Sequence, residues 1–225
     1  MTGAPDAHPD ALDRLYLENR GPQFEIGQSG ELMQIAQGRG LPVSANGWLT
    51  RSAWNRGTPF LLHTPRLTVR PLLDHETQAF ARLIDDPRVA RMLVNLPSPI
   101  SASDAIDWWR KRRFTGRPGF QIGVFDHAGR VVGSVGLGAL SNALVYFIGE
   151  DQRRRGYASE IIAPFCQMCM VRWDLDHVFA GVFCDNPESR LVLERSGFLT
   201  FSDGVISSLG RKGEAEFWEM RLMRK

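Results

Sequence analysis

The feature that most constrains the fold of this chain is a glycine turn set between a strand-like run and a long helical one. Residues 144–149 read as a strand, residues 157–173 as a helix and residues 178–184 as a second strand. The helical stretch carries Ile161, Ile162, Phe165, Cys169 and Trp173 on one stripe. Strand, crossover helix and strand require a parallel pair joined by a right-handed connection. Between the first strand and the helix lies Glu150-Asp151-Gln152-Arg153-Arg154-Arg155-Gly156-Tyr157-Ala158. A glycine there lets backbone approach a ligand closely, the helix N-terminus offers unpaired N–H groups, and the dipole adds partial positive charge. With the neighbouring arginines, the turn suits a pyrophosphate. A solvated basic turn is the alternative, and composition does not choose between the two.

The surrounding chain supplies more sheet and more helix. Residues 66–70 alternate polar and apolar as a half-buried strand does, and Pro71 ends the run. Asp74 is the expected N-cap of a helix carrying Ala79, Phe80, Leu83 and Ile84, and Ser101-Ala102-Ser103-Asp104 caps another carrying Ile106 and Trp109. Residues 120–125 and 130–137 form a hairpin through Asp126-His127-Ala128-Gly129. Within it, Gly133-Ser134-Val135-Gly136-Leu137-Gly138 imitates a dinucleotide loop, but no helix follows, so close packing or a bulge is its expected meaning. Asn186-Pro187 opens one more helix, Gly197 closes it, and residues 216–223 read as a closing strand. The pattern predicts an α/β (α+β) architecture with a mixed sheet.

Before residue 64 the pattern is looser, punctuated by Gly21, Pro22, Gly27, Gly30, Gly38, Gly40, Pro42 and Gly47. Residues 1–63 are expected to be an accessory extension and residues 64–225 the working domain. Short helices are expected over residues 10–19 and after Ser29, the second carrying Leu32, Met33, Ile35 and Ala36. Trp48, Trp54 and Phe60 then need cover, from the main domain or from a second copy in a homodimer. With 225 residues and 43% hydrophobic content, the chain can bury a sizeable core. No apolar run reaches the roughly 20 residues of a membrane span, and the first ten residues lack a signal-peptide pattern, so the expected setting is the cytoplasm, away from membranes. Cys166, Cys169 and Cys184 read as reduced thiols, and no metal site is expected. A net charge of +2 does not advertise a polyanion partner. Arg110-Lys111-Arg112-Arg113 beside Trp108 and Trp109 raises a nucleic-acid-binding reading, but a solvated basic helix face explains so short a cluster, and no nucleic acid is expected.

Four segments in order carry a resemblance. They are Thr64-Pro65-Arg66-Leu67-Thr68-Val69-Arg70-Pro71, then Val131-Val132-Gly133-Ser134-Val135-Gly136-Leu137, then Arg153-Arg154-Arg155-Gly156-Tyr157-Ala158-Ser159-Glu160, and Asn186-Pro187-Glu188-Ser189 through Ser196-Gly197-Phe198. Over about residues 64–224 the chain resembles the GCN5-related N-acetyltransferases (GNAT), and within them the ribosomal-protein N-terminal acetyltransferase branch. The resemblance implies the GNAT fold, a mixed central sheet with splayed parallel strands flanked by helices. It also implies an acyltransferase that uses acetyl-coenzyme A as co-substrate and an amine acceptor, a protein N-terminus or a small molecule. By the same resemblance, backbone from Arg153, Arg154, Arg155, Gly156, Tyr157, Ala158 and Ser159 holds the pyrophosphate. Phe147, Ile148 and Gly149 supply the strand edge for pantetheine, with Asn186 and Ser189 beside its arm.

The implied reaction is direct attack of the amine on the thioester, with a backbone N–H stabilising the developing oxyanion. No side-chain nucleophile is needed, and Cys166 and Cys169 read as core residues. Glu150 is a candidate base or a plain loop carboxylate, Ser189 a hydroxyl near the coenzyme sulfur or the filler of a helix start, and Asn186 an N-cap that could also touch the pantetheine amide. Residues 190–195 lack the tyrosine acid that many relatives place there, Glu150 stands where relatives usually have proline, and Pro164 interrupts the long helix. His75, His127 and His177 are poorly placed for base catalysis. The missing acid and base motivate a second reading, a degenerate acyl-coenzyme A sensor or scaffold.

Overall fold

A computed structural model describes residues 60–139 and 141–224 in full, and before them the backbone of three short strands, β1 (Gln23–Ile26), β2 (Leu32–Ala36) and β3 (Arg39–Pro42). The expected helix carrying Leu32, Met33, Ile35 and Ala36 is instead β2, which pairs antiparallel with β1 on one side and β3 on the other. Gly30 and Gly38 bracket a run too short to nucleate a helix on its own, and pairing across the sheet overrides its local pattern. The expected helix over residues 10–19, and Trp48 and Trp54, lie outside the described residues.

Eight further strands form the body of the sheet: β4 (Leu62–His63), β5 (Leu67–Arg70), β6 (Phe120–Asp126), β7 (Val131–Leu137), β8 (Ala143–Ile148), β9 (His177–Phe183), β10 (Leu199–Ser207) and β11 (Glu214–Met223). Their order is β10-β11-β9-β8-β7-β6-β5-β4, continued by β1-β2-β3. The β8–β9 pair is parallel, as strand-helix-strand connectivity requires. In β7, Gly133 and Gly136 permit close strand approach, because a Cβ would meet the Phe147 carbonyl at 2.4 Å and the Phe120 carbonyl at 2.0 Å. β10 has no counterpart among the sequence expectations. It is an edge strand whose Leu199, Phe201 and Val205 are exposed, so it lacks the alternation that marks a half-buried strand.

Helices cover both faces of the sheet. One face carries α1 (Thr77–Ile84), α2 (Pro87–Ala90) and α3 (Ala102–Arg110), which bury Phe80, Ile84, Val89 and Trp109 with Phe125 and Phe147. The other carries α4 (Tyr157–Trp173) and α5 (Pro187–Arg195), where Ile161, Ile162, Phe165, Cys166 and Cys169 pack with Val135, Ile148 and Val182. Burial pushes the Cys166 and Cys169 thiols up, which suits core residues and not nucleophiles. α4 runs unbroken through Pro164. α3 starts as expected, with the Ser101 hydroxyl accepting from the Asp104 N–H at 3.1 Å. α1 does not start at Asp74. A short 3₁₀ turn, Asp74–Glu76, precedes it, and Glu76 accepts from the Leu73 N–H at 2.8 Å while pairing with Arg70 at 2.6 Å. Phe60, Leu61 and Leu62 are buried, and Phe60 sits in an aromatic cluster with Phe114, Phe120, Phe165 and Trp173. No helix among the described residues is long and apolar enough to cross a membrane.

Candidate functional site

β8 and β9 pair only at Ala143–Phe179 and Leu144–Ala180. Past that point β8 stays on β7 as far as Ile148, and β9 stays on β11 as far as Phe183, so the two strands part toward their C-terminal ends. The backbone of β8 alternates between its two neighbours. Gly138 N–H donates to the Ala143 carbonyl at 2.8 Å, and Gly149 N–H to the Val132 carbonyl at 2.9 Å, which turns the odd-numbered residues, Phe147 included, toward β7. By the two-residue period of a strand, Tyr146 and Ile148 therefore direct their backbone groups into the gap.

At the end of β8 the chain makes a 3₁₀ turn, Glu150–Gln152, and then two left-handed residues, Arg154 at φ 59° and Gly156 at φ 78°. The first helical bond of α4 runs from the Glu160 N–H to the Gly156 carbonyl at 3.0 Å, so the amides of Tyr157, Ala158 and Ser159 have no acceptor within the helix. Arg154, Arg155, Gly156 and Ser159 are exposed, and Arg153 and Tyr157 half-buried. A residue that sequence reading passed over shapes this turn. Arg66 donates to the Arg155 carbonyl at 2.8 Å, pairs with Glu160 at 2.6 Å and lies over the Tyr157 ring at 5.1 Å. Its partners lie about ninety positions away in the chain, so no local pattern announces it.

Glu150 is held by two guanidiniums, Arg88 at 3.0 Å and Arg153 at 2.8 Å, one on each carboxylate oxygen. Arg153 also donates to the Ile148 carbonyl at 3.3 Å. On the far side of the gap, Asn186 caps α5 by accepting from the Ser189 N–H at 3.2 Å. The Ser189 hydroxyl meets the Tyr146 hydroxyl at 2.7 Å. Tyr146 too went unremarked in the sequence, because only the fold brings β8 against the first turn of α5. Burial pushes its phenol up to about 12, so it keeps its proton at neutral pH. His75 lies in the 3₁₀ turn before α1, His127 contacts the Pro65 carbonyl at 3.0 Å, and His177 packs on Phe179, all away from the gap.

α2 spans the open ends of the parted strands. Arg88 reaches Glu150 after β8, and Arg91, just past α2, pairs with Asp185 after β9. Arg211 adds a second guanidinium to Asp185 at 2.8 Å and donates to the Arg91 carbonyl at 2.9 Å. Arg211 first, and Arg91 with it, hold the Asp185 carboxyl down at about 2. Within the basic stretch after Trp109, Arg112 stacks on Trp108 at 4.2 Å, Arg113 pairs with Asp74 at 3.5 Å and Arg110 with Asp107 at 3.1 Å.

A family profile described as an acetyltransferase (GNAT) domain matches residues 66–199. No curated protein matches the chain. Solved structures share the fold at low identity. A GNAT-family acetyltransferase from Bacillus anthracis superposes with a TM-score of 0.62 at 15% identity, over 73% of this chain and 99% of that one. Spermidine N-acetyltransferase from Vibrio cholerae, in complex with CoA and spermine, gives 0.59 at 15% identity, over 70% and 95%. A proposed ribosomal-protein-serine acetyltransferase from Vibrio cholerae gives 0.58 at 19% identity, over 73% and 97%.

Proposed function

This chain belongs to the GNAT acetyltransferase family, and on that premise we propose that it transfers an acetyl group from acetyl-coenzyme A to a primary amine by direct attack in a ternary complex. The observation that carries the reading is the parted β8–β9 pair leading into a left-handed glycine at the start of a long helix. The amides of Tyr157, Ala158 and Ser159 and the exposed Arg154 and Arg155 suit a pyrophosphate, and an added Cβ on Gly156 would first meet Arg66 at 3.4 Å, which leaves an open approach for phosphate oxygens. Tyr146 and Ile148 offer backbone groups to the pantetheine arm, while Phe147 and Gly149 support that edge from the β7 side. Ser189, in the first turn of α5, meets Tyr146 from β8, and Asn186 caps that turn.

The bound acetyl-coenzyme A supplies the activated acyl group, so the protein need only bind, orient and manage charge. A gap-facing backbone N–H such as that of Ile148 suits the carbonyl oxygen as negative charge builds on it. Glu150 has a guanidinium within ion-pair distance of each oxygen, although its Oε2 makes no hydrogen bond, which fits a tie between loop and α2 better than a free base. Without a strong base, an acceptor that is already partly neutral has the advantage. An α-amine has a reference pKa near 7.7–8.0 and a lysine side chain one near 10.4, a difference of about 3 kcal/mol in supplying the neutral form. We therefore place protein N-termini, or small amines of lowered pKa, ahead of lysine side chains. The resemblance to the ribosomal-protein N-terminal acetyltransferase branch, with Ser189 at a position where its members carry a hydroxyl, adds support for protein N-termini as acceptors.

The test is thiol release from acetyl-coenzyme A across peptides with free or blocked N-termini and a panel of small amines, with coenzyme A binding measured alongside by calorimetry. Turnover with α-amines exceeding that with lysine side chains is the expected result. Binding without turnover of any amine would instead establish the sensor reading, which the doubly paired Glu150 motivates.

A further inference from the structure

One half-buried side chain at the gap, that of Tyr146, is not used in the acetyl-transfer reading. Tyr146 lies on the stretch of β8 that has left β9, and its hydroxyl reaches across to the first turn of α5, 2.7 Å from the Ser189 hydroxyl and 3.4 Å from the Ser189 carbonyl. A phenol is a better hydrogen-bond donor and a poorer acceptor than an alcohol, so the short contact favours Tyr146 giving its proton to Ser189. The backbone of Ser189 is fixed as well, by the Asn186 side chain. With its oxygen occupied by the Tyr146 proton, Ser189 keeps its own proton for whatever enters the gap.

We propose that Tyr146 is a positioning residue that orients the Ser189 hydroxyl as hydrogen-bond donor to the departing sulfur of coenzyme A. The inference rests on the acetyl-transfer reading and deepens it. In the transfer, the amine nitrogen bonds to the acetyl carbon and the carbon–sulfur bond breaks, its electron pair staying on sulfur. The proton that nitrogen loses on becoming an amide balances the one the thiolate takes up. Ser189 stabilises the sulfur as charge builds, and both hydroxyls end the cycle neutral. Desolvation pushes the Tyr146 phenol up to about 12, which suits this role, because it does not surrender its proton outright.

The experiment compares the unmodified protein, Tyr146→Phe, Ser189→Ala and the double variant for kcat and KM in thiol release, with thermal midpoint and coenzyme A affinity as controls. Each single variant should lower kcat by about tenfold, the order expected for one aligned hydrogen bond, with KM for acetyl-coenzyme A and coenzyme A affinity within about twofold. The double variant should be no slower than the worse single one, since the residues act as a unit. Ser189→Ala removes the same contact from the half-buried first turn of α5, so the comparison survives if Tyr146→Phe folds poorly. An unchanged kcat in Tyr146→Phe, losses that multiply in the double variant, or a loss confined to KM overturns the inference while leaving acetyl transfer intact. Absence of turnover in the unmodified protein overturns both.

Discussion

At the scale of single residues, two candidate site positions were visible for different reasons. Gly156 was legible because a glycine between a strand and a helix N-terminus has few other uses, and its φ of 78° is a conformation β-branched residues avoid. Gly156→Val should raise the dissociation constant for coenzyme A at least tenfold while the circular dichroism spectrum is kept; unchanged affinity by calorimetry would refute the pyrophosphate assignment. Glu150 was legible only as a carboxylate in the right place. Its two guanidinium neighbours come from a distant helix and from its own turn, and on the reading proposed above they hold it as a tie and not as a base. Glu150→Gln should therefore cost less than tenfold in turnover, against the ~10²–10⁴ a working general base contributes. A loss of several hundred-fold would return Glu150 to the role of base. Arg66 and Tyr146 had no local signature, because each acquires its meaning from a partner far along the chain.

At the scale of elements, the strand-helix-strand unit and the capped α5 follow from hydrophobic spacing and from Asn186, Pro187 and Gly197, all local signals. β2 and β10 escaped the same reasoning: the first is made a strand by its neighbours, and the second is an exposed edge. α2 is a mere four residues long, and its importance lies in being tied to the ends of both parted strands. The tie at β9 is built from charged groups. Asp185 has its carboxyl lowered to about 2, first by Arg211 and then by Arg91. A carboxylate with a lowered folded-state pKa adds stability above its unfolded value near 3.9, and that stability fades as pH falls toward the folded value. Asp185→Asn should thus lower the melting temperature at pH 7, and the deficit should narrow between about pH 4 and pH 2. A deficit independent of pH in thermal melts would show that packing, not charge, makes the tie.

At the scale of the whole molecule, Phe60, which was expected to need cover from the main domain or a second copy, packs in the main core together with Leu62. Phe60 and Leu62 are fully buried, and β4 pairs with β5. A chain starting at residue 60 should accordingly be more stable than one starting at residue 64 by several kcal/mol, since deleting a buried phenylalanine side chain alone costs about 3–5. Equal denaturant midpoints for the two would contradict this. Periodicity, caps and a glycine turn by themselves determined that this chain forms a mixed sheet with helices on its faces and that a glycine turn opens α4 with its first amides unpaired, because each of these is enforced by neighbours within a turn or two. Only tertiary structure decided which backbone groups of β8 face the gap, that Arg88 pairs with Glu150, that α2 spans the opening and that a tyrosine from β8 meets Ser189. Those outcomes depend on side chains brought together from positions tens of residues apart, and no short-range pattern encodes such a meeting.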